Sequence, residues 1–269
     1  MTEPAGLGGW DCHVHVFDAA AAARPGHYRP AHHPLAAIEA VAALHGVHHL
    51  VLVQPSVYGH DNGLLLRALA EQPGRHRGVV VLGGGEDRAT LDTMHTAGVR
   101  GARLNGVSPV GEAGAAPGAR FDVIAPQLAP RGWHLQWYVR AGQLPMVAAL
   151  HAGSGITPVL DHLGGIDTAA AGRTDTWRAV QRLADLGGWI KLSGWYRLGA
   201  EAPYAELTEA TRRAAAMFAP RVLWGSDWPH THFDPQRMPA YHTLLAPLEA
   251  ALGGGPAAAM LQRTPAIYA

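Results

Sequence analysis

The 269 residues carry 21 basic and 21 acidic side chains, so the formal charge is zero and no electrostatic footprint for nucleic acid or an anionic membrane is present. Gly (33) and Pro (20) make up about a fifth of the chain, below the roughly 25–30% of a disordered composition, and 48% apolar residues suffice for a packed core. The single cysteine, Cys12, excludes an internal disulfide, and neither a leader peptide nor a run of ~18 apolar residues is visible, so a cytoplasmic protein is expected.

Short apolar runs, many of them β-branched, alternate with longer helix-like stretches. Strand Trp10–Phe17 leads, followed by helix Leu35–His45 and strand Leu50–Gln54. Helix Asn62–Glu71, strand Val79–Leu82, helix Asp87–Ala97 and strand Gly101–Asn105 come next. Helix Val123–Arg131, strand His134–Val139, helix Gln143–His151 and strand Pro158–Asp161 continue the pattern. Helix Thr174–Asp185, strand Trp189–Ser193, helix Tyr204–Phe218, strand Val222–Gly225 and helix Pro239–Leu252 complete it. Near-continuous hydrophobicity in the strands marks a parallel sheet buried on both faces. Eight βα units in one stretch of this length predict an α/β fold, a single-domain (β/α)₈ TIM barrel spanning 1–269, with an open doubly wound sheet as the alternative. Residues 110–118, rich in Gly and Ala, read as a mobile βα loop. Gly83-Gly84-Gly85 lacks a phosphate-loop pattern and reads as a strand-ending turn.

Barrel enzymes carry their chemistry at the C-terminal ends of strands. Residues two apart in a strand share a side, so His13 and His15 face one space. The sixth strand ends at His162 and the eighth runs into Asp227. Three imidazoles and one carboxylate suit a metal ion, or a cluster that polarises a carbonyl. Among the other candidates, His27, His32, His33, His45, His48 and His49 are expected to be solvated, and His230 and His232 are candidates to line the mouth. Lys191 is read as structural, Trp195 and Trp228 as walls of the pocket, and Cys12 as packing.

Six blocks carry a resemblance along nearly the whole chain: DCHVHVFD (11–18), VLVQPSVYGHDN (51–62), RGARLN (100–105), LDHLGG (160–165), IKLSGWYR (190–197) and WGSDWPH (224–230). They resemble the amidohydrolase superfamily, in particular its lactonase branch of 2-pyrone-4,6-dicarboxylate lactonase and sugar lactonases. The resemblance implies His13, His15, His162 and Asp227 as the catalytic set, and as the ligands if a single metal is bound. It also implies a substrate shell of Tyr28, Ser56, Arg103, Tyr138 and Arg197. The cofactor expectation is none or one divalent zinc. A binuclear centre is not expected, because the fourth strand offers Arg103 and the fifth Gln136 and Tyr138. One departure stands out: the basic residue expected soon after the fourth strand is missing until Arg120, which puts a dicarboxylate substrate in question.

The expected activity is opening of a lactone of a small carboxylated or sugar-derived substrate by Asp-activated water, within aromatic or sugar acid catabolism. A metal-dependent decarboxylase or amide hydrolase on the same scaffold is the alternative. A non-enzymatic, His-rich metal-buffering protein is the third reading, and it would place ions on the His27–His49 region. The expected partner is a small-molecule substrate, with no nucleic acid and no membrane.

Overall fold

The computed structural model describes residues 8–24, 31–108, 110, 117–231 and 233–269. Tyr28, His27 and His232 lie outside them, as does most of the 110–118 loop. The eight expected strands form: β1 (Gly9–Val14), β2 (Val47–Val53), β3 (Arg77–Val80), β4 (Val99–Asn105), β5 (His134–Tyr138), β6 (Pro158–Leu160), β7 (Trp189–Ser193) and β8 (Val222–Gly225). They pair in parallel in sequence order, and a parallel bridge between Val14 and Trp228 brings the last strand beside the first. The result is the expected (β/α)₈ barrel rather than an open sheet.

Around it lie α1 (Leu35–Ala43), α2 (Gly63–Glu71), α3 (Arg88–Thr96), α4 (Pro117–Leu128), α5 (Leu144–His151), α6 (Thr174–Asp185), α7 (Thr208–Phe218), α8 (Ala246–Leu252) and α9 (Gly254–Gln262). Several boundaries shift by up to four residues, as β1, β2 and α7 do, and three differences are larger. The fourth helix begins six residues early, at Pro117, where proline's fixed φ suits a first helical position, and it carries Pro126 inside. The stretch 239–252 breaks into a 3₁₀ turn, Tyr241–Leu244, and a shorter α8 that starts at a proline-containing first turn. Helix α9 was not expected, because Gly253-Gly254-Gly255-Pro256 reads as a breaker and a loop.

Alternation along the strands builds two cores. Leu50, Leu52, Val80, Leu104, Leu160, Leu192 and Trp224 face the helices, whereas Val51, Val53, Val79, Val159 and Leu223 fill the barrel with Trp10 and Cys12. Tyr268, in the terminal turn Ala266–Tyr268, joins this inner cluster and stacks on Trp10 at 6.3 Å. Gly83 and Gly84 donate their amides to the Glu86 carboxylate at 2.6 and 2.8 Å, so that turn is already capped from within the chain.

Candidate active site

Strict alternation would put Asp11 and His13 on the same side of β1. The pairing of β1 with β2 is irregular between Asp11 and Val14, and the irregularity separates them. Asp11 turns outward, accepting from Tyr241 Oη (2.9 Å) and from the amides of His13 and Ser226. His13 turns into the barrel mouth, where its ring lies 5.0 Å from that of His15 and 4.7 Å from that of His162. The two histidines do share a space, as expected, though through this irregularity and not through simple pleat.

Two glycines make the room. A Cβ on Gly225, at the end of β8, would lie 2.5 Å from His13 Cβ. A Cβ on Gly194 would lie 2.3 Å from the His162 ring, and Gly194 also has φ +61°. His162 and Asp227 themselves have positive φ, +47° and +60°, which re-aims their side chains just past their strands. Non-glycine residues persist there only when their surroundings hold them, and such positions cluster at functional sites.

Asp227 is buried, with its two oxygens in different environments. Oδ2 accepts from Tyr196 Oη (2.5 Å) and Arg197 Nε (2.6 Å). Oδ1 makes no hydrogen bond among the described residues and faces His15 Nε2 at 3.3 Å, His13 Nε2 at 3.6 Å and His162 Nε2 at 3.9 Å. Burial alone would raise its pKa; the Arg197 cation, foremost among its partners, holds the carboxyl well below its usual range. Burial favours the neutral form of two of the imidazoles: His162 is lowered to about 4 and His13 lies well below its ordinary value.

The His15 tautomer follows from its partner. His15 Nδ1 is 2.7 Å from the Val53 carbonyl, which only accepts, so Nδ1 carries a hydrogen, and in the neutral ring Nε2 offers a lone pair. His13 Nδ1 lies between two groups, 3.2 Å from Asp161 Oδ1 and 3.4 Å from Lys191 Nζ. An imidazole lone pair and a carboxylate oxygen therefore converge on one spot. That spot favours something electropositive: a divalent ion or the hydrogens of a water molecule. His13, His162 and Asp227 offer donor atoms within 4.8 Å of one another, so the residues fit one metal ion. They are the one such group among the described residues; the described histidines of the 32–49 stretch form none.

The cationic wall lies on either side. Arg103 Nε donates to Asp161 Oδ2 (2.9 Å) and its guanidinium lies 5.1 Å from the ring of Tyr138, which packs edge-on to His162 at 5.0 Å. Ser56 lines a small cavity with Gln54, Gly59, Asn105 and Arg103. Arg197 is 15% exposed and bonded to Asp227. Of the expected shell, Tyr138 and Arg197 touch the four-residue centre, Arg103 is joined to it through Asp161, and Ser56 lies beside Arg103, while Tyr28 falls outside the described residues.

Other expectations shift. Trp195 does not wall the pocket: its indole donates to the Leu244 carbonyl (3.1 Å), in the outer core beneath the C-terminal helices. Trp228 meets His33 edge-on at 5.1 Å. His230 is not an open mouth residue but is buried against Tyr196 (6.0 Å), its pKa lowered by burial to about 4. Tyr196, Asp161 and Gln136 were missed as site residues. Each sits beside or among positions already singled out, but their roles appear only once partners from other strands are in place.

A family model described as amidohydrolase matches residues 10–264. A 4-sulfomuconolactone hydrolase of Rhizobium radiobacter is 31% identical over 238 residues, 86% of this chain and 79% of that protein. A 2-pyrone-4,6-dicarboxylate hydrolase of Comamonas testosteroni is 30% identical over 243 residues, 83% and 77% of the two chains. Among solved structures, a candidate 2-pyrone-4,6-dicarboxylic acid hydrolase of Pseudomonas putida superposes with a TM-score of 0.82 at 30% identity, covering 97% of each chain. By sequence and by fold, the chain belongs to the amidohydrolase family.

Proposed function

We propose that this protein hydrolyses a small lactone bearing an anionic group, with Asp227 as the base that directs water. One observation carries this: Asp227 Oδ1 is buried, ionised and without a hydrogen bond, facing three imidazole Nε2 atoms at 3.3–3.9 Å, while Oδ2 is clamped by Tyr196 and Arg197. A water in this nest would donate its hydrogens, one to Asp227 Oδ1 and the other to His15 Nε2. Its oxygen lone pair is then left to attack the lactone carbonyl carbon. As the new C–O bond forms, Asp227 takes the proton. As the ring C–O bond breaks, that proton passes to the departing ring oxygen, giving an open hydroxy acid. Arg103 and Arg197 spend Nε on Asp161 and Asp227, and the outer edges of their guanidinium groups suit a substrate carboxylate or sulfonate. The two curated relatives, named for anionic lactones, support that choice of substrate class.

His13, His162 and Asp227, with His15 alongside, would hold a single divalent ion. Bound there, it would supply Lewis-acid polarisation of the ester carbonyl.

The test is turnover of a lactone panel, including 4-sulfomuconolactone, 2-pyrone-4,6-dicarboxylate and aldonolactones, by chelator-treated and zinc-supplied protein. Asp227→Asn should remove activity, a loss of at least about 10²-fold, without changing the circular dichroism spectrum. An active Asp227→Asn protein, or no turnover of any lactone with or without zinc, would overturn the reading.

A further inference from the structure

Two glutamine side chains are wholly buried, Gln136 on β5 and Gln54 just past β2. Gln136 is paired at both ends: Nε2 donates to Asp161 Oδ2 at 2.9 Å, and Oε1 accepts from Lys191 Nζ at 2.6 Å. Gln54 is paired at one end only. Its Nε2 donates to the carbonyls of Asp61 (2.7 Å) and Gly59 (3.2 Å), which only accept, so the amide cannot be turned over and Oε1 is fixed on the opposite side. There it makes no hydrogen bond among the described residues. A buried acceptor without a donor is costly, so this atom calls for a group with a hydrogen to give.

Gln54 lines a small cavity together with Ser56, Arg103 and Asn105. Its free space of about 10 Å³ suits one oxygen-sized group. Asn105 Oδ1 is already spent, accepting from the amides of Val107 (3.0 Å) and Ser108 (2.9 Å). The walls therefore offer one open acceptor, Gln54 Oε1, beside the donors of Arg103 and the Ser56 hydroxyl. That combination selects a group that both gives and takes a hydrogen bond. A carboxylate or sulfonate oxygen would meet Oε1 lone pair to lone pair, and an ammonium would meet the Arg103 cation. Arg103 also ties the cavity to the reaction centre: its Nε bonds to Asp161, which faces His13 at 3.2 Å, and its guanidinium lies 5.1 Å from the ring of Tyr138 beside His162.

We propose that Gln54 is a specificity-determining residue, whose Oε1 accepts a hydrogen bond from a substrate hydroxyl on the carbon next to the carboxylate that Arg103 takes. The placing of that hydroxy acid within a lactone rests on the hydrolysis reading; the hydroxy-acid site itself does not. A water has the same ability to give and take, and the experiment separates the two. Malate, as each enantiomer, and succinate differ by one hydroxyl, and both are titrated calorimetrically into the chelator-treated full chain. The better malate enantiomer should bind about tenfold more tightly than succinate, because succinate leaves Oε1 without a donor of its own. In Gln54→Met, of similar size but without the amide, the preference should fall below about twofold. Loss of the Nε2 bonds weakens both acids alike, so the ratio, and not either affinity, reads the role of Oε1. A crystal structure with malate should place its hydroxyl oxygen within about 3 Å of Gln54 Oε1.

Equal affinities in the wild type, binding of neither acid, or an undiminished preference in Gln54→Met would overturn the proposal. So would a malate complex in which a water stays on Oε1. If Gln54→Met does not fold, the wild-type ratio and the malate complex decide. Among carboxylated lactones, those with the neighbouring hydroxyl should show kcat/KM about tenfold above their deoxy counterparts, and turnover without that preference would also overturn it. Inactivity on every lactone would remove the function proposed above, while the two acids still decide the role of Gln54.

Discussion

Asp227 shows how one side chain meets two environments. Its Oδ2 is anchored and its Oδ1 is left without a hydrogen bond, and the division depends on Tyr196 and Arg197. Tyr196→Phe removes one donor from Oδ2 and leaves the ring's packing against Phe233 and His230 in place. It should lower kcat by about tenfold and stability by about 1 kcal/mol, the worth of one buried hydrogen bond, measured by kinetics and by urea unfolding. An unchanged kcat would mean that Arg197 alone fixes the carboxylate. Much of this centre is legible in the sequence, because His13, His15, His162 and Asp227 all fall at strand ends. Asp161 and Gln136 are not, since a buried Asp or Gln gains its meaning from which cation it meets across the barrel.

At the scale of elements, the site depends on what β7 and β8 omit as much as on what they carry. Gly225 leaves the space that His13 Cβ occupies. Gly225→Ala should therefore push β1 and β8 apart at their closing bridge, costing about 1–3 kcal/mol and most of the activity, by denaturation and turnover. A stable, active Gly225→Ala protein would show that the mouth relaxes more easily than its spacing suggests. Periodicity placed all eight strands, because burial on both faces imposes a continuous apolar signal. It failed at α9 and at the break within 239–252, where Gly and Pro are tolerated at helix ends that tertiary packing supports.

The whole molecule holds several histidines neutral in its interior, away from the reactive centre as well as within it. His151 donates from Nδ1 to the Ile156 carbonyl (2.7 Å) and accepts at Nε2 from Trp137 (2.7 Å), so only its neutral form satisfies both bonds. Burial lowers its pKa from 6.5 to about 4. The folded state thus refuses a proton that the unfolded chain accepts below pH 6.5, and stability falls as pH drops from about 6.5 to about 4. His151 alone contributes at most about 3 kcal/mol to that loss. His151→Gln, which keeps a donor and an acceptor, should shrink the stability difference between pH 7 and pH 5 by about 2 kcal/mol in urea titrations. An undiminished difference would assign the acid sensitivity to other groups, such as His76 or His134, which burial also lowers, to about 4 and about 3.

The sequence by itself determined the barrel, its strand order and the four residues at its mouth, because period and strand-end position are local properties of the chain. Only the tertiary structure decided that Asp11 faces out while His13 faces in, which oxygen of Asp227 is left open, and that the one lysine lies beneath the site. Those depend on a pairing irregularity and on contacts between residues 30 to 230 positions apart, where burial sets the strength of each charge and the neighbouring strand sets its direction.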